Sequence, residues 1–292
     1  MVRPKVSVII PSYNSSGYLG RALHAIVDQS YDNIEVLVID DGSADNTAEV
    51  VAHFQQQYPW INYYHQSNAG VSIARNNGLK LSTGKYVVFF DSDDLMEFDF
   101  LTKRVLFLEN FSYYNACCSV VTAVSEKDVL LPYYYKGIHD HPVEQILKHL
   151  KNTSTCPSNY MIKSDILKSH HAGFDTELSS SADKYFFIQS SPFLKIGLID
   201  SQSNCKLLYR LHPGGMSQRL SIGLLEDHKE FLKKVIHLPF ITLRQRLFFR
   251  FKMYYVISGG YFKMRHYFPA FYYALLSALF NPYKFILQVC AA

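Results

Sequence analysis

The sequence predicts an α/β protein with a mostly parallel sheet flanked by helices, followed by a helical C-terminal extension. Short apolar runs without polar alternation, such as Val6–Ile10 and Glu35–Ile39, are typical of strands buried on both faces. Segments with helical spacing separate these runs, which indicates βα crossovers. From Gly223 onward the spacing of the apolar residues is helical to the end of the chain.

The composition excludes a disordered or fibrous chain, because 48% of the 292 residues are hydrophobic and 18% are charged. This length suggests one large domain, or one domain with an appendage. The charge is distributed unevenly. The first 230 residues carry 20 basic and 25 acidic side chains, whereas the remainder carries nine Lys or Arg and no acid. This balance argues against a nucleic-acid partner and favours contact of a basic, aromatic tail with an anionic surface.

Strands and helices alternate over the first hundred residues. The predicted strands are Val6–Ile10, Glu35–Ile39, Ile61–Tyr64 and Tyr86–Phe90, and the helices are Tyr18–Gln29, Asp45–Gln57 and Val71–Leu81, the last ending towards Gly84. Later strands are predicted at Cys117–Val124, Asn159–Ile162 and Lys206–Tyr209, and helices at His141–Leu150, Ser164–Ser169 and Asp183–Gln189. Interruptions of the C-terminal helices are expected at Pro239, Gly259-Gly260, Pro269 and Pro282.

Polar and acidic residues follow three of these strands. They are the segments Pro11–Tyr13, Asp40-Asp41 and Asp91–Asp94. Ligands of parallel sheets bind outside the carboxyl ends of the strands. This edge of the sheet is therefore the predicted active site.

Asp91, Asp93 and Asp94 place three carboxylates within four residues. Like charges this close destabilise one another unless a cation or a proton compensates them. Oxygen ligands of this kind suit Mg²⁺ or Mn²⁺ bridging a substrate's phosphates. A solvated acidic turn or a helix cap is the alternative.

Two further segments reach the same edge. The carboxylates of Asp40 and Asp41 can accept hydrogen bonds from a base N–H or a ribose hydroxyl, although Asp-Gly also favours an ordinary turn. The helix that begins near Val71 presents free backbone N–H groups, which favour anions. Arg75, one turn into that helix, can pair with a phosphate or hold an acidic turn, unless it is an ordinary surface arginine.

Together these motifs resemble the nucleotide-binding half of the family 2 glycosyltransferases, which have the Rossmann-like GT-A fold. The resemblance runs through Val6–Asn14, Val38–Ser43, Asn68–Gly78 and Val88–Asp94, and continues more thinly to about Ser217. It implies an inverting transferase that uses a nucleotide-diphosphate sugar, with UDP-sugars ranked ahead of TDP- and GDP-sugars, and a divalent metal.

The same resemblance assigns roles to individual residues. Pro11, Tyr13 and Asp40 would hold the base and the ribose, Arg75 would support the nucleotide site, Asp91 would contact the ribose or the metal, and Asp93 would ligate the metal. It adds Asn14, Asp41, Asn68 and Ser92 to the residues that bind the nucleotide sugar.

The acceptor side of the family shows Gly-Phe-Asp and then, about eight residues later, Glu-Asp, whose Asp is the general base. Here Gly173-Phe-Asp175 is followed by Ala182-Asp183, so Asp183 matches the base and Ala182 replaces the usual Glu. Asp183 could instead cap the following helix, and Asp175 and Glu177 are the alternative bases.

Arg210 and His212 lie where related enzymes often place a loop over the diphosphate, and Gly214-Gly215 would let that loop move. The resemblance makes Arg210 a phosphate clamp and His212 a third metal ligand beside Asp91 and Asp93. A structural histidine at the end of a strand is the alternative for His212.

The leading function is glycosyl transfer to a saccharide or lipid-linked saccharide in cell-envelope polysaccharide or glycolipid synthesis. Nucleotidyl transfer and a noncatalytic nucleotide-sugar-binding protein are the alternatives. The predicted division places a transferase domain at residues 1–222, with halves meeting near residue 110, and a helical region at 223–292.

The C-terminal region is expected to touch a membrane without spanning it. The uncharged stretch from His266 to Tyr283 has 18 residues, the lower limit for a spanning helix, and it contains two prolines. A peripheral location at the cytoplasmic face follows, with the five scattered cysteines reduced. The alternative is a helical subdomain that packs its aromatic residues on the catalytic body.

Overall fold

The computed structural model describes residues 3–148, 153–199, 204–212 and 220–281. Its strands are β1 (Val6–Ser12), β2 (Ile34–Asp40), β3 (Ile61–His65), β4 (Tyr86–Phe89), β5 (Leu95–Met96), β6 (Ala116–Cys118), β7 (Val120–Ser125), β8 (Leu130–Gly137), β9 (Thr153–Ser154), β10 (Met161–Lys163), β11 (Ile196–Leu198) and β12 (Leu207–Leu211). Its helices are α1 (Ser16–Val27), α2 (Thr47–Gln55), α3 (Val71–Leu81), α4 (Phe100–Asn110), α5 (Pro142–Leu147), α6 (Ser164–Ser169), α7 (Ala182–Ser190), α8 (Ile222–His237), α9 (Leu243–Lys263) and α10 (Tyr267–Phe280).

The main sheet has seven strands in the order β11-β6-β10-β4-β1-β2-β3. The strands β4, β1, β2 and β3 run parallel, and β10 enters antiparallel between β4 and β6. Alternate residues of β1 pack into two separate buried clusters, Ile9 into one and Val8 into the other. The sheet is therefore covered on both faces, and the predicted α/β fold with a mostly parallel sheet is confirmed.

A second sheet, in the order β5-β12-β7-β8-β9, lies beside the first. The single strand predicted at Cys117–Val124 is wrong, because β6 and β7 belong to different sheets. The chain changes sheets at buried Ser119, whose hydroxyl accepts a hydrogen bond from Arg104 Nη2 at 2.8 Å. Arg104 is itself fully buried and also donates to Asn159 Oδ1 at 3.0 Å. A buried polar network therefore stabilises the junction of the two sheets.

The helices α8 and α9 pack on the α/β body that carries the main sheet. Phe231 of α8 and Phe249 and Met253 of α9 belong to the same buried cluster as Ile9 of the main sheet. Some of the aromatic residues of this region are therefore core, as the subdomain alternative expected, whereas others, such as Phe268 and Phe271, are exposed. The predicted division between residues 222 and 223 falls at the start of α8.

The helix α10 packs along α9 and leaves much of its surface in solvent. The interruption expected at Gly259-Gly260 is wrong, since both glycines lie inside α9. The chain turns instead at Arg265, which has a φ of 64°. Pro269 lies in the first turn of α10, where a missing N–H is tolerated, and Pro282 lies outside the described residues. Of the helices described, none combines the length and the hydropathy that a bilayer crossing requires.

Candidate active site

The loops after β1 and β2 bind each other at the carboxyl edge of the sheet. The Asn14 amide donates to Ser43 Oγ at 2.8 Å, and Asn14 Oδ1 accepts from the Ala44 amide at 2.9 Å. Asn14 reaches this position with a φ of 46°, a conformation that asparagine tolerates better than most residues. The preceding residue, Tyr13, is 54% exposed. These contacts form a structured edge with an aromatic ring open to solvent.

Asp40 and Asp41 are buried and engaged within the protein. Asp40 accepts hydrogen bonds from the Ser43 amide at 2.9 Å and from the Tyr63 hydroxyl at 2.5 Å. Asp41 accepts from the amides of Ala69 and Gly70 at 2.8 and 2.7 Å. Two of the amides that precede α3 therefore bind a carboxylate of the chain itself. The expectation of anion binding concerns the amides of the helix itself, from Val71 onward, and stays a prediction.

Three other predicted nucleotide-sugar residues lie near this edge of the sheet. Pro11 is buried within β1, opposite Ile39 of β2. Asn68 is exposed in the loop that Asp41 anchors, and Ser92 is half-buried between Asp91 and Asp93.

Arg75 connects the acidic segment after β4 to the first turn of α7. Its Nη2 lies 2.6 Å from Asp91 Oδ1, and its Nη1 lies 2.9 Å from Asp183 Oδ1. The guanidinium also stacks over the ring of Phe174, 4.8 Å from the ring centroid. With a side chain only 4% exposed, Arg75 is a buried bridge between two carboxylates rather than a surface arginine.

Asp183 lies in the first turn of α7, whose N-cap is Ser181, so Asp183 is not the cap. Burial and the nearby Asp91 carboxylate raise the pKa of Asp183 to about 6, against the opposing effect of Arg75. A carboxylate with a pKa near neutrality suits proton transfer. The alternative bases Asp175 and Glu177 both bind Lys234 of α8, at 3.0 and 2.6 Å.

The remaining carboxylates of the acidic segment contact β12 and the residue that follows it. His212 Nε2 lies 2.8 Å from Asp93 Oδ2, and the Arg210 amide donates to Asp94 Oδ1 at 3.3 Å. Burial and the neighbouring carboxylates raise the pKa values of Asp93 and Asp94. The fold therefore concentrates negative charge that a cation would stabilise.

The side-chain oxygens of Asp91 and Asp94 and the thiol of Cys156 lie within 4.8 Å of one another. The donor set is dominated by carboxylates, which fits Mg²⁺ or Mn²⁺. The sequence analysis did not select Cys156, because no local pattern distinguishes it from the other cysteines.

Arg210 of β12 binds the backbone of the acidic segment. Its Nε donates to the Asp93 carbonyl at 2.7 Å, and its Nη1 pairs with Asp128. Its Nη2 is buried and has no hydrogen-bond partner among the residues that the structure describes. Arg210 thus positions the acidic segment and retains one donor; the predicted mobile pair Gly214-Gly215 lies outside the described residues.

A sequence model described as Glycosyl transferase family 2 matches residues 7–170, more than half of the chain. The chain is 45% identical over 101 residues to glycosyltransferase GlyA of Streptococcus pneumoniae, and this match covers 35% of the chain and 14% of the relative. It is 37% identical over 107 residues to the putative teichuronic acid biosynthesis glycosyltransferase TuaG of Bacillus subtilis, covering 36% of the chain and 42% of TuaG. The chain thus spans well under two thirds of these relatives.

Solved structures show the same fold. S. aureus TarS 1-349 in complex with UDP-GlcNAc superposes with a TM-score of 0.66 at 16% identity, covering 94% of this chain and 91% of that one. The mannosyltransferase PcManGT from Pyrobaculum calidifontis, in complex with GDP-Man and Mn²⁺, gives 0.63 at 17% identity, covering 100% and 80%. The GT-A expectation is confirmed by these superpositions.

Proposed function

Because the chain belongs to glycosyl transferase family 2, we propose that it transfers a sugar from a nucleoside-diphosphate sugar to an acceptor hydroxyl. The observation that carries this proposal is the bridge from Asp91 through Arg75 to Asp183. It joins the carboxyl edge of the parallel strands, where nucleotides bind in such folds, to a carboxylate suited to accept a proton. The UDP-GlcNAc and GDP-Man held by the two solved relatives support a donor of this class.

The transfer inverts the configuration of the sugar. Asp183 accepts the proton of the acceptor hydroxyl as its oxygen attacks the anomeric carbon. The bond from that carbon to the diphosphate breaks on the opposite face, and the diphosphate leaves with the electron pair. Arg75 holds the Asp183 carboxylate in one orientation during this step.

Asp91 would hold Mg²⁺ or Mn²⁺ either with Asp93 and His212, which contact each other at 2.8 Å, or with Asp94 and Cys156, whose donor atoms lie within 4.8 Å of its own. When bound, the metal supplies positive charge that stabilises the leaving diphosphate. Burial and then repulsion from Asp91 raise the pKa of Asp93, and a cation beside it would compensate both effects.

The acceptor belongs to cell-envelope polysaccharide or glycolipid synthesis, at the cytoplasmic face of the membrane. The name of TuaG supports a polysaccharide. The outer surface of α10 supports peripheral contact with an anionic membrane, since Phe268 is 85% and Leu279 77% exposed in a region without acidic residues.

The test is release of UDP from labelled UDP-GlcNAc with Mn²⁺ and with EDTA. We expect release that requires both metal and Asp183, because the metal stabilises the diphosphate and Asp183 takes the proton. A nucleotidyltransferase would transfer the uridylyl group of UDP-GlcNAc and release N-acetylglucosamine 1-phosphate instead of UDP. Binding of the donor without any turnover, over a panel of acceptors, would favour the noncatalytic alternative.

A further inference from the structure

An apolar groove of about 1010 Å³ lies between α8, α9 and α10. Its lining includes Leu225 from α8, Val256 and Gly259 from α9, and Ala270 and Phe271 from α10. A Cβ placed on Gly259 would meet no heavy atom within 4 Å, so the groove is open at this point. This volume is close to the upper limit of about 1,000 Å³ for pockets that bind small molecules.

The groove has a polar group in its wall on the side of the catalytic body. His228 of α8 lines it, and His228 Nδ1 is buried without a hydrogen-bond partner among the described residues. Burial lowers the pKa of His228, and the positive charge of Lys184, which directly follows Asp183, lowers it further. The adjacent Asp227 accepts a hydrogen bond from the Ser179 amide at 2.6 Å, which ties this part of α8 to the segment leading to Asp183.

We propose that this groove binds the aliphatic chain of an amphiphilic acceptor with an anionic head, and that the head lies at His228, towards Asp183. The assignment of the amphiphile as acceptor rests on the proposed function. The apolar lining suits a hydrocarbon chain, and His228 Nδ1 supplies a polar contact where that chain would meet its head group.

The charge of the region favours an anionic amphiphile over a second copy of the chain. Residues 231–281 carry eight Lys or Arg and no acid, and Lys263 lines the groove. Two copies facing each other here would bring like charges together, whereas an anionic head would find opposite charge. The exposed Phe268 on the same helix as the lining residue Phe271 would place the groove next to the membrane surface from which a lipid enters.

The experiment measures binding of dodecyl phosphate, below its micelle concentration, to the full chain by calorimetry, with inorganic phosphate as the head-group control. Gly259→Leu places a side chain in the open groove, while Gly259→Ala makes the same change of helix propensity with little filling. We expect the wild type and Gly259→Ala to bind dodecyl phosphate, and Gly259→Leu to bind it at least about tenfold more weakly. The wild type should bind inorganic phosphate far more weakly than dodecyl phosphate.

Equal affinity of folded Gly259→Leu and Gly259→Ala for dodecyl phosphate would overturn the proposal. So would equal affinity of the wild type for inorganic phosphate, or a dimer of the full chain that Gly259→Leu dissociates. Urea unfolding of each variant verifies that it is folded, and His228→Phe should weaken binding of dodecyl phosphate more than of dodecanol if the head lies there.

Binding of UDP-GlcNAc with Mn²⁺, measured in parallel, separates this proposal from the proposed function. If the groove binds dodecyl phosphate and the donor does not bind, the acceptor assignment fails together with glycosyl transfer, while the lipid site stands. If the donor binds and turns over but dodecyl phosphate does not bind, only the groove proposal fails.

Discussion

Asp183 is the residue on which the proposed chemistry depends most directly. Asp183→Asn keeps an oxygen that can accept the hydrogen bond from Arg75 but cannot take a proton. We expect kcat to fall by roughly 10²–10⁴-fold with donor affinity nearly unchanged. Steady-state kinetics and donor titration measure the two effects separately. If Asp183→Asn stays active while Asp175→Asn or Glu177→Gln is inactive, the assignment of the base is wrong.

The pH dependence of the reaction provides a second test of the same residue. Burial raises the pKa of Asp183 to about 6, so the carboxyl group is deprotonated above that pH and protonated below it. Because a base must be deprotonated to act, we expect kcat to fall as the pH drops through about 6. The expected result is a single acidic limb in the wild type that Asp183→Asn lacks; the same limb in both proteins would assign it to another group.

A substitution at Asp93 tests whether the proposed activity depends on a metal. Asp93→Ala removes a predicted ligand and the partner of His212 Nε2, so we expect activity to fall by orders of magnitude and the Mn²⁺ concentration for half-maximal activity to rise. Asp165→Ala, an exposed carboxylate of α6, is the matched control and should leave both quantities unchanged. Full activity of the wild type in EDTA would refute the metal role.

At the scale of the element, α3 positions Arg75 between Asp91 and Asp183, and this position requires α3 to pack closely on β1. A Cβ on Gly78 would lie 2.3 Å from Ile9 Cγ2 and 3.2 Å from Ile39 Cγ1. Gly78 therefore allows α3 to approach the sheet, and a larger residue would displace the helix one turn after Arg75. This contact links the packing of an element to the geometry of the site.

Gly78→Ala should lower the free energy of unfolding by about 1–3 kcal/mol, the range for overpacking a core, and should lower kcat by displacing Arg75. Urea unfolding and turnover per folded molecule measure these effects. Gly17→Ala in α1 is the control, because a Cβ there meets nothing within 4 Å, and the helix gains up to about 1 kcal/mol. Equal stabilities of the two variants would contradict the close packing.

For the whole molecule, the C-terminal helices have two different environments. Phe231 and Phe249 complete the core of the catalytic body, whereas α10 exposes Phe268 and Leu279. Deleting the region would therefore remove core residues, so point variants of α10 are the better probe of membrane contact.

We expect the full chain to co-sediment with vesicles containing phosphatidylglycerol at low salt and less at high salt, because basic residues near an anionic surface contribute about 1 kcal/mol each and salt screens them. The double variant Phe268→Ser/Leu279→Ser should remain folded, since both side chains are exposed, and should bind the vesicles more weakly. Neither residue lines the groove, so its dodecyl phosphate affinity should not change. Full-length protein that stays in the supernatant at low salt would refute membrane contact.

The sequence by itself determined the parallel sheet, its crossover helices and the edge at which the candidate site is proposed. Apolar runs and helical spacing are local properties, and they located α3 at Val71–Leu81, the bounds that the structure has. The resemblance to the family assigned a role to Asp183 and another to Arg75, but it did not predict that the two residues contact each other.

Only the tertiary structure decided which of these residues meet and which local signals are overridden. Arg75 and Asp183 are 108 positions apart, and Cys156 joins Asp91 and Asp94 without any local motif, because long-range packing brings them together. The glycines that predicted a break lie inside α9, since a Cβ on Gly260 would lie 2.5 Å from Leu225 of α8. Close packing of two helices favours glycine there, and that advantage outweighs its low helix propensity of about 1 kcal/mol.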